Sequence, residues 1–425
     1  MILKSFVLRR GYFDAIVDQC TAGSIVVVRP EKALETLFRS LIARAVKDKQ
    51  PAGDLVKEIS DYLDGVCDDS RYLKKKAEFL EYVQDYISKA SGYSVNIGQI
   101  ESYILAQCAQ LCAQAVSYRS GVEVIDGREL IVCNLEGLMP VFDWSASRLE
   151  IEKRCKGKSC AIVAGGYART LQGVVVAVGK GGANMMAALI ASSLKAEKIE
   201  FYVEGEGIDG IESMTYDEAA HYCATSYAPF PSAALWPAKN AGIPIVVKSI
   251  QHPDFPGTCI SSAAPAKNAP VSGIITDSDS VLVTVYGTGL FGQIGASSII
   301  FSSLAKAGVN IKFISQTSSE YAISFAVREK YGDIVMKTIK SLIENNPLIP
   351  LDDVMIVNQR VGILTVYGSR MKNVPGISGK VYAALGDAGI NVIASAQGGE
   401  ELSISVVLDI NDLAKAKDSL AGSLL

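Results

Sequence analysis

Two glutamines, Gln316 and Gln397, stand in stretches that nearly repeat one another, Gln316-Thr-Ser-Ser-Glu-Tyr-Ala-Ile-Ser-Phe325 and Gln397-Gly-Gly-Glu-Glu-Leu-Ser-Ile-Ser-Val406. A side-chain amide both donates and accepts hydrogen bonds, so where a strand becomes a turn it can meet the carboxylate and the ammonium group of a free amino acid. The same placement also suits an amide that only satisfies backbone groups at a strand end. A second candidate is the turn Gly179-Lys180-Gly181-Gly182-Ala183-Asn184 between a β-branched run and a helical segment. Amides at a helix N-terminus favour an anion there. A tight turn uses glycine for its own conformational reasons as well, and Lys180 reads equally as a solvated surface lysine.

The elements that must position the glutamines occur twice. Gly287, Gly295, Ala307, Gly308, Asn310, Gln316, Glu320, Ile323 and Ser324 each recur 81 residues later, at Gly368, Gly376, Ala388, Gly389, Asn391, Gln397, Glu401, Ile404 and Ser405, with no gap. Such a register is the signature of a duplicated module. Each copy predicts a strand (281–286; 361–367), a helix (296–307; 377–388) closed by Ala-Gly, a strand (310–315; 391–396), a returning strand (322–327; 403–408) and a second helix (331–345; about 410–420). That order is a split βαβ unit. Upstream, strands predicted at 24–28, 122–125, 130–133, 161–164, 174–178, 199–203 and 244–250 alternate with helices at 31–47, 71–89, 97–116 and 185–196. Alternation of this kind predicts an α/β fold with a mainly parallel sheet covered on both faces.

The repeated stretch resembles the tandem ACT domains of aspartokinases, closest in wording to the threonine-sensitive bifunctional type. The resemblance implies that Asn310, Gln316 and Ser318, with Asn391 and Gln397, contact a small amino-acid effector. It also implies that 274–276 joins the sheet of the second copy. Upstream, Met214-Thr-Tyr-Asp-Glu-Ala-Ala220, Pro237-Ala-Lys-Asn-Ala-Gly-Ile-Pro-Ile245 and Phe255-Pro-Gly-Thr-Cys-Ile260 resemble the catalytic domain of the same family. The implied architecture is an amino-acid kinase-like three-layer domain (1–265) followed by two ferredoxin-like βαββαβ ACT domains (281–350 and 351–425, the latter with a strand from 270–277).

At the family's catalytic motifs this chain departs from the pattern. The "K-F-G-G-T-S" loop, which cradles phosphate, is represented only by Lys4, followed by Ser-Phe-Val-Leu-Arg-Arg. Gln99 stands at the Glu of "G-E-x-x-S", Asn184 at the Asp of "G-R-N-G-S-D", and Ala228 at the Lys of "G-A-K-V-L-H-P". The segment that flanks the nucleotide is cut to Val203-Glu-Gly-Glu-Gly-Ile-Asp209. Phosphoryl transfer asks the protein mainly for positioning and charge compensation, and an amide keeps the shape of a carboxylate without its charge. Gly165 and Gly166, in Ala164-Gly-Gly-Tyr167, resemble the family's "A-G-F-T" turn and either line the phosphate cleft with Gly179–Gly182 or form one more strand-to-helix turn.

A net charge of −4 with interspersed signs gives no footprint for nucleic acid or an anionic membrane, and 425 residues of 49% apolar composition predict two or three domains. No signal-peptide pattern opens the chain and no apolar run reaches membrane-spanning length, so a soluble, cytoplasmic protein is expected. Nine cysteines without a Cys-x-x-Cys pair and only two histidines predict free thiols and no metal site. Three functions follow from the resemblance. The first is an amino-acid-sensing regulatory pseudokinase that binds threonine, or else lysine or methionine, as a homodimer or beside a partner aspartokinase. The second is an active aspartate kinase using MgATP under feedback by an end-product amino acid, and the third is an enzyme that reuses the cleft for another substrate.

Overall fold

The computed structural model describes the chain apart from residues 10, 91–95, 137–138, 180, 205–207, 209–210, 224–229, 264–269, 287–294, 319–321 and 346–354. It divides into two compact units, Met1–Tyr216 with Pro229–Pro265, and Asp217–Ala228 with Ala266–Leu425.

The first unit contains strands β1 (Ile2–Leu8), β2 (Ser24–Pro30), β3 (Val124–Asp126), β4 (Val132–Glu136), β5 (Met139–Phe142), β6 (Cys160–Ala164), β7 (Tyr167–Thr170), β8 (Val175–Ala177), β9 (Lys198–Val203), β10 (Ser213–Thr215), β11 (Ile245–Ser249) and β12 (Thr258–Ser261). Its helices are α1 (Phe13–Asp18), α2 (Lys32–Ile42), α3 (Gly53–Asp64), α4 (Ser70–Ala90), α5 (Ile97–Ser120), α6 (Trp144–Cys155), α7 (Gly182–Leu194) and α9 (Leu235–Ala241); α8 (Tyr216–Cys223) begins here and continues into the second unit.

Eight strands form one sheet in the order β10-β12-β11-β9-β1-β2-β6-β3. Every pairing is parallel except β11 with β12. β2 is buried almost throughout, which its near-unbroken Ile-Val-Val-Val run requires of a strand covered on both faces. On one face Phe6, Leu8, Val26 and Val28 pack against α2 to α5. Helix α2 turns Leu34, Phe38, Leu41 and Ile42 inward, the spacing of one helical face.

Several sequence expectations need correction here. β1, which pairs with β2 and β9 near the middle of the sheet, was not expected as a strand; Lys4 and Ser5 interrupt its apolar pattern, yet both are buried. The segment expected at 130–133 is β4, and it lies outside the large sheet in a separate one of order β5-β4-β7-β8. The helix expected over 31–47 is α-helical only to Ile42 and ends in a π-turn, Ala43–Lys47.

The second unit holds β13 (Gly273–Tyr286), α10 (Ala296–Lys306), β14 (Ile311–Gln316), β15 (Ala322–Val327), α11 (Gly332–Asn345), β16 (Met355–Tyr367), α12 (Ile377–Asp387), β17 (Ala394–Gln397), β18 (Ser403–Asp409) and α13 (Leu413–Leu424). One antiparallel sheet, β14-β15-β13-β16-β18-β17, runs through both copies of the repeat. β13 and β16 are long because each serves both copies. Ile274, Ile275 and Thr276 pair with Val366, Thr365 and Leu364, while Val281 to Tyr286 pair with Arg360 to Met355, across a bulge between Asp277 and Ser280. One core per copy forms beneath α10 and α11 (Val283, Leu304, Phe325) and beneath α12 and α13 (Leu364, Leu385, Val406). A small third cluster, with Leu282, Phe313, Val361 and Val407, lies on the opposite sheet face.

The two halves of the resembling motif 214–220 have separate structural tasks. Tyr216 closes the first unit by donating from its hydroxyl to the Ile243 carbonyl at 2.5 Å. Glu218, 3% exposed, accepts from Ser272 Oγ at 2.5 Å and from the Ser369 amide at 2.9 Å inside the second.

Candidate functional site

Open α/β sheets bind ligands beyond the carboxyl ends of their strands, so the placement of the candidate side chains relative to that edge matters first. Lys4 is the third residue of the seven-residue β1, 6% exposed, and its ammonium donates to Gln19 O at 3.1 Å and Gln19 Oε1 at 3.0 Å. Gln19 follows α1, and its carbonyl accepts from Ser24 Oγ at the start of β2. The amine thus ends at the amino edge of the sheet, away from the side where ligands bind. Burial pushes its pKa below the usual lysine range, and the Glu200 carboxylate pulls it partly back. The Tyr202 hydroxyl ties the group together, donating its one proton to Glu200 Oε2 at 3.0 Å with Gln19 Oε1 3.1 Å away.

At the carboxyl end of β1 the chain places Arg9. Its guanidinium pairs with Glu31 Oε1 at 2.6 Å and with Glu204, and the Tyr62 hydroxyl donates to the other Glu31 oxygen. A four-residue polar cluster therefore occupies this end of the strand. Of its members, the sequence reading touched only Arg9, as part of a bulky run, and Glu204, in the shortened segment.

The glycine candidates divide in two. A Cβ on Gly165 would fall 2.5 Å from Val27 Cγ1, one on Gly182 2.8 Å from Val178 Cβ, and one on Gly181, already at φ +72°, against the Pro231 ring. These three are required by close packing at the turns. Gly166 and Gly179, both at φ +98°, face open space and line a cleft of about 270 Å³. Gly165, Tyr167 and Ala177 line it beside them, and facing these is one face of α2 with the end of β2: Arg29, Lys32, Glu35, Thr36 and Arg39. None of those five was expected, although a charged run directly after the apolar β2 marks a strand's carboxyl end.

Asn184 sits in the first turn of α7 and accepts from Ser5 Oγ at 2.7 Å. Gln99 is exposed in the first turn of α5, which Asn96 caps by accepting from the Gly98 amide at 3.0 Å. Lys180 and Ala228 lie outside the described residues.

In the second unit Gln316 and Gln397 are the last residues of β14 and β17, and both are exposed, as are Asn310, Ser318 and Asn391. Gln397 Oε1 accepts from Ser378 Oγ at 3.1 Å, in the first turn of α12. The preceding loop is strapped down by Gly368 N donating to Leu402 O at 3.0 Å and Asn373 N donating to Glu401 Oε2 at 2.9 Å. In the first copy the corresponding loop, 287–294, and Glu320 lie outside the described residues.

The model of the amino acid kinase family matches residues 75–249, and that of the ACT domain matches twice, at 283–342 and 364–424. Aspartokinase 2 of Bacillus subtilis is 28% identical over 62% of this chain and 66% of its own length. The chain belongs to the aspartokinase family. Bifunctional aspartokinase/homoserine dehydrogenase 1 of Arabidopsis thaliana is 27% identical over 92% of this chain. The aligned region makes up 45% of that relative, so the chain spans less than half the length of the bifunctional aspartokinase it matches. In fold it superposes on E. coli aspartokinase III, solved in complex with aspartate and ADP, with a TM-score of 0.81 at 16% identity, covering 100% of this chain and 99% of that one. An amino-acid kinase domain followed by ACT domains is thus the architecture of this aspartokinase-family chain.

Proposed function

We propose that this chain is an amino-acid-sensing member of the aspartokinase family whose kinase-type unit does not phosphorylate aspartate. The observation that carries this reading is Arg9, held by Glu31 and Glu204 at the carboxyl end of β1, beside the position where the family's glycine loop cradles phosphate. Lys4, directed to the opposite edge of the sheet, cannot take up the lysine's task without leaving both of its bonds to Gln19. Amides at Gln99 and Asn184 and a methyl group at Ala228 remove three further charges, and groups that act as a unit are not restored singly.

The sensing half rests on the duplicated ACT frame, with Asn310, Gln316 and Ser318, and Asn391 and Gln397, as effector contacts. Threonine is the first effector to test, then lysine and methionine, and the working form is a homodimer or a complex with a catalytic aspartokinase. The deciding experiment measures aspartyl phosphate formation from aspartate and MgATP alongside titration calorimetry with the three amino acids. The reading expects heat from one amino acid and no turnover. Turnover well above background in a clean preparation would make the chain an active, feedback-controlled aspartate kinase instead, and no heat with any amino acid would leave the ACT pair a purely structural module.

A further inference from the structure

The cleft beneath α2 carries a charge balance at odds with an amino-acid substrate. Three cationic side chains line it, Arg29, Lys32 and Arg39, against one carboxylate, Glu35, a balance of three minus one. Glu35 faces Arg29 at 3.6 Å, so the one acid among the described lining residues is turned to a guanidinium of the same wall. Arg39 reaches Glu101 of α5 at 3.8 Å at the outer rim, a spacing loose enough for its guanidinium to turn inward. An α-ammonium group entering this cleft would meet three like charges and one engaged carboxylate. A polyanion would meet two guanidinium forks, whose planar donors match carboxylate and phosphate oxygens in pairs, and a lysine about two helical turns before Arg39 on the same face of α2. Opposite them, Gly166 and Gly179 present side-chain-free backbone to the opening, so an anion can approach the main chain closely.

We propose that this cleft binds a small polyanion that lacks an ammonium group, its negative groups held by Arg29, Lys32 and Arg39 across from Gly166. The volume of about 270 Å³ lies below the roughly 300–1,000 Å³ usual for drug-sized ligands, which suits a compact di- or tricarboxylate or a short phosphate rather than a whole nucleotide. Phosphate and carboxylate share the chemistry that the wall recognises, and the ligand's source is decided by experiment. The inference builds on the loss of aspartate phosphorylation proposed above, and it moves the cleft from reaction to recognition.

The test is titration calorimetry on the full chain, at low ionic strength in a phosphate-free buffer, with pyrophosphate, citrate, succinate and aspartate. At least one of the three polyanions gives saturable heat, and aspartate binds at least tenfold more weakly. Arg29→Gln weakens that binding about tenfold or more and Lys32→Gln about threefold. Glu35→Gln tightens it severalfold, the reverse of what a site for an amino group would show. Heat from pyrophosphate alone assigns a phosphate ligand, and heat from citrate or succinate alone a carboxylate. No heat from any of the three overturns the inference, as does heat undiminished in both Arg29→Gln and Lys32→Gln, or aspartate binding as tightly as the best polyanion. Arg29→Gln could perturb the end of β2, so circular dichroism and the exposed Lys32→Gln variant guard that arm. Aspartyl phosphate formation measured in the same preparation would sink the proposed function, whereas absence of polyanion heat sinks only this inference.

Discussion

Thr284 and Thr365 occupy equivalent places in the two ACT copies, and each hydroxyl meets a serine across the ladder, Ser324 at 2.9 Å and Ser405 at 2.8 Å. Lys312 and Ile393 are equivalent in the same way, yet they share nothing. Lys312 is half-buried, with its side chain 9% exposed, and pairs with Asp277, and its ammonium also donates to Asp279 O at 3.1 Å and Ser280 Oγ at 3.0 Å. Ile393 is 39% exposed, and Asn358, the counterpart of Asp277, is exposed too. Asp277 and Ser280 flank the bulge at which β13 leaves the ladder of the second copy and enters that of the first. A bulge bends a strand and leaves backbone groups out of the ladder, and here a lysine from the neighbouring region binds them. Duplication therefore reproduced the frame of each copy, while the crossing of β13 between copies needed a device that only one copy supplies.

The largest test of that difference is removal of one ion partner. Lys312→Met should cost about 3–5 kcal/mol of stability, because it strands a buried carboxylate, whereas Ile393→Met, a surface change, should stay within about 0.5 kcal/mol. Chemical denaturation monitored by circular dichroism checks both. Equal effects at the two positions would dissolve the asymmetry.

Next come Leu304 and Leu385, equivalent positions fully buried in the two separate cores. Each Leu→Ala change should cost about 2–5 kcal/mol, and the same cooperative transition should move in both variants, since one sheet runs through both copies. Two resolved transitions would mean that the copies melt independently.

Ligand binding gives a smaller and more discriminating contrast. Gln316→Ala should weaken effector binding about tenfold to a hundredfold, the loss expected when a polar contact that the bound effector buries goes unmade, about 1–3 kcal/mol. Gln397 is already engaged by Ser378, so an effector at the second copy must displace that bond. Ser378→Ala should accordingly strengthen binding there about two- to tenfold, from a hydrogen bond of about 0.5–1.5 kcal/mol. Calorimetry with the bound amino acid reads out both variants, and an unchanged affinity in Ser378→Ala would indicate that the second copy is not occupied.

The smallest effects should be the most alike. Thr284→Val and Thr365→Val each remove one cross-strand hydroxyl pair and should cost about 0.5–1.5 kcal/mol, matching within a few tenths. A clear inequality would show that the frames have diverged beneath their common geometry.

The repeat was legible in the sequence because glycine caps and amides recur at a fixed interval, and α10 and α12 begin at the expected residues, Ala296 and Ile377. The joint was not legible: Lys312 lies between Ile311 and Phe313 in an edge strand, where a lysine ordinarily points to water, and only the fold brings Asp277 to it. In the first unit the β-branched run of β2 and the apolar face of α2 announced themselves by period. β1 did not, since Lys4 and Ser5 are polar residues buried by long-range partners, Gln19 and Asn184. The same limit hid the cleft. Arg29, Lys32 and Arg39 read as a solvated face until Gly166 and Gly179, more than a hundred residues away in sequence, are set opposite them.

The long strands β13 and β16 separate the unit that was copied from the unit that folds. Gly273 pairs with Tyr367, nearly the whole first copy apart in sequence, so the sheet of the second copy cannot acquire its outer strand until the chain has closed around the first. Contacts of such long sequence separation are entropically costly to close and slow to form. A fragment beginning near residue 355 would contain the second repeat intact by homology and yet lack Gly273–Asp277, leaving the flank of β16 bare as a template for other chains. The two halves of this duplication are thus nested rather than concatenated: excising one leaves an unfinished sheet, and a cut that keeps the unit whole lies upstream of residue 217, so that Glu218 stays with Ser272 and Ser369.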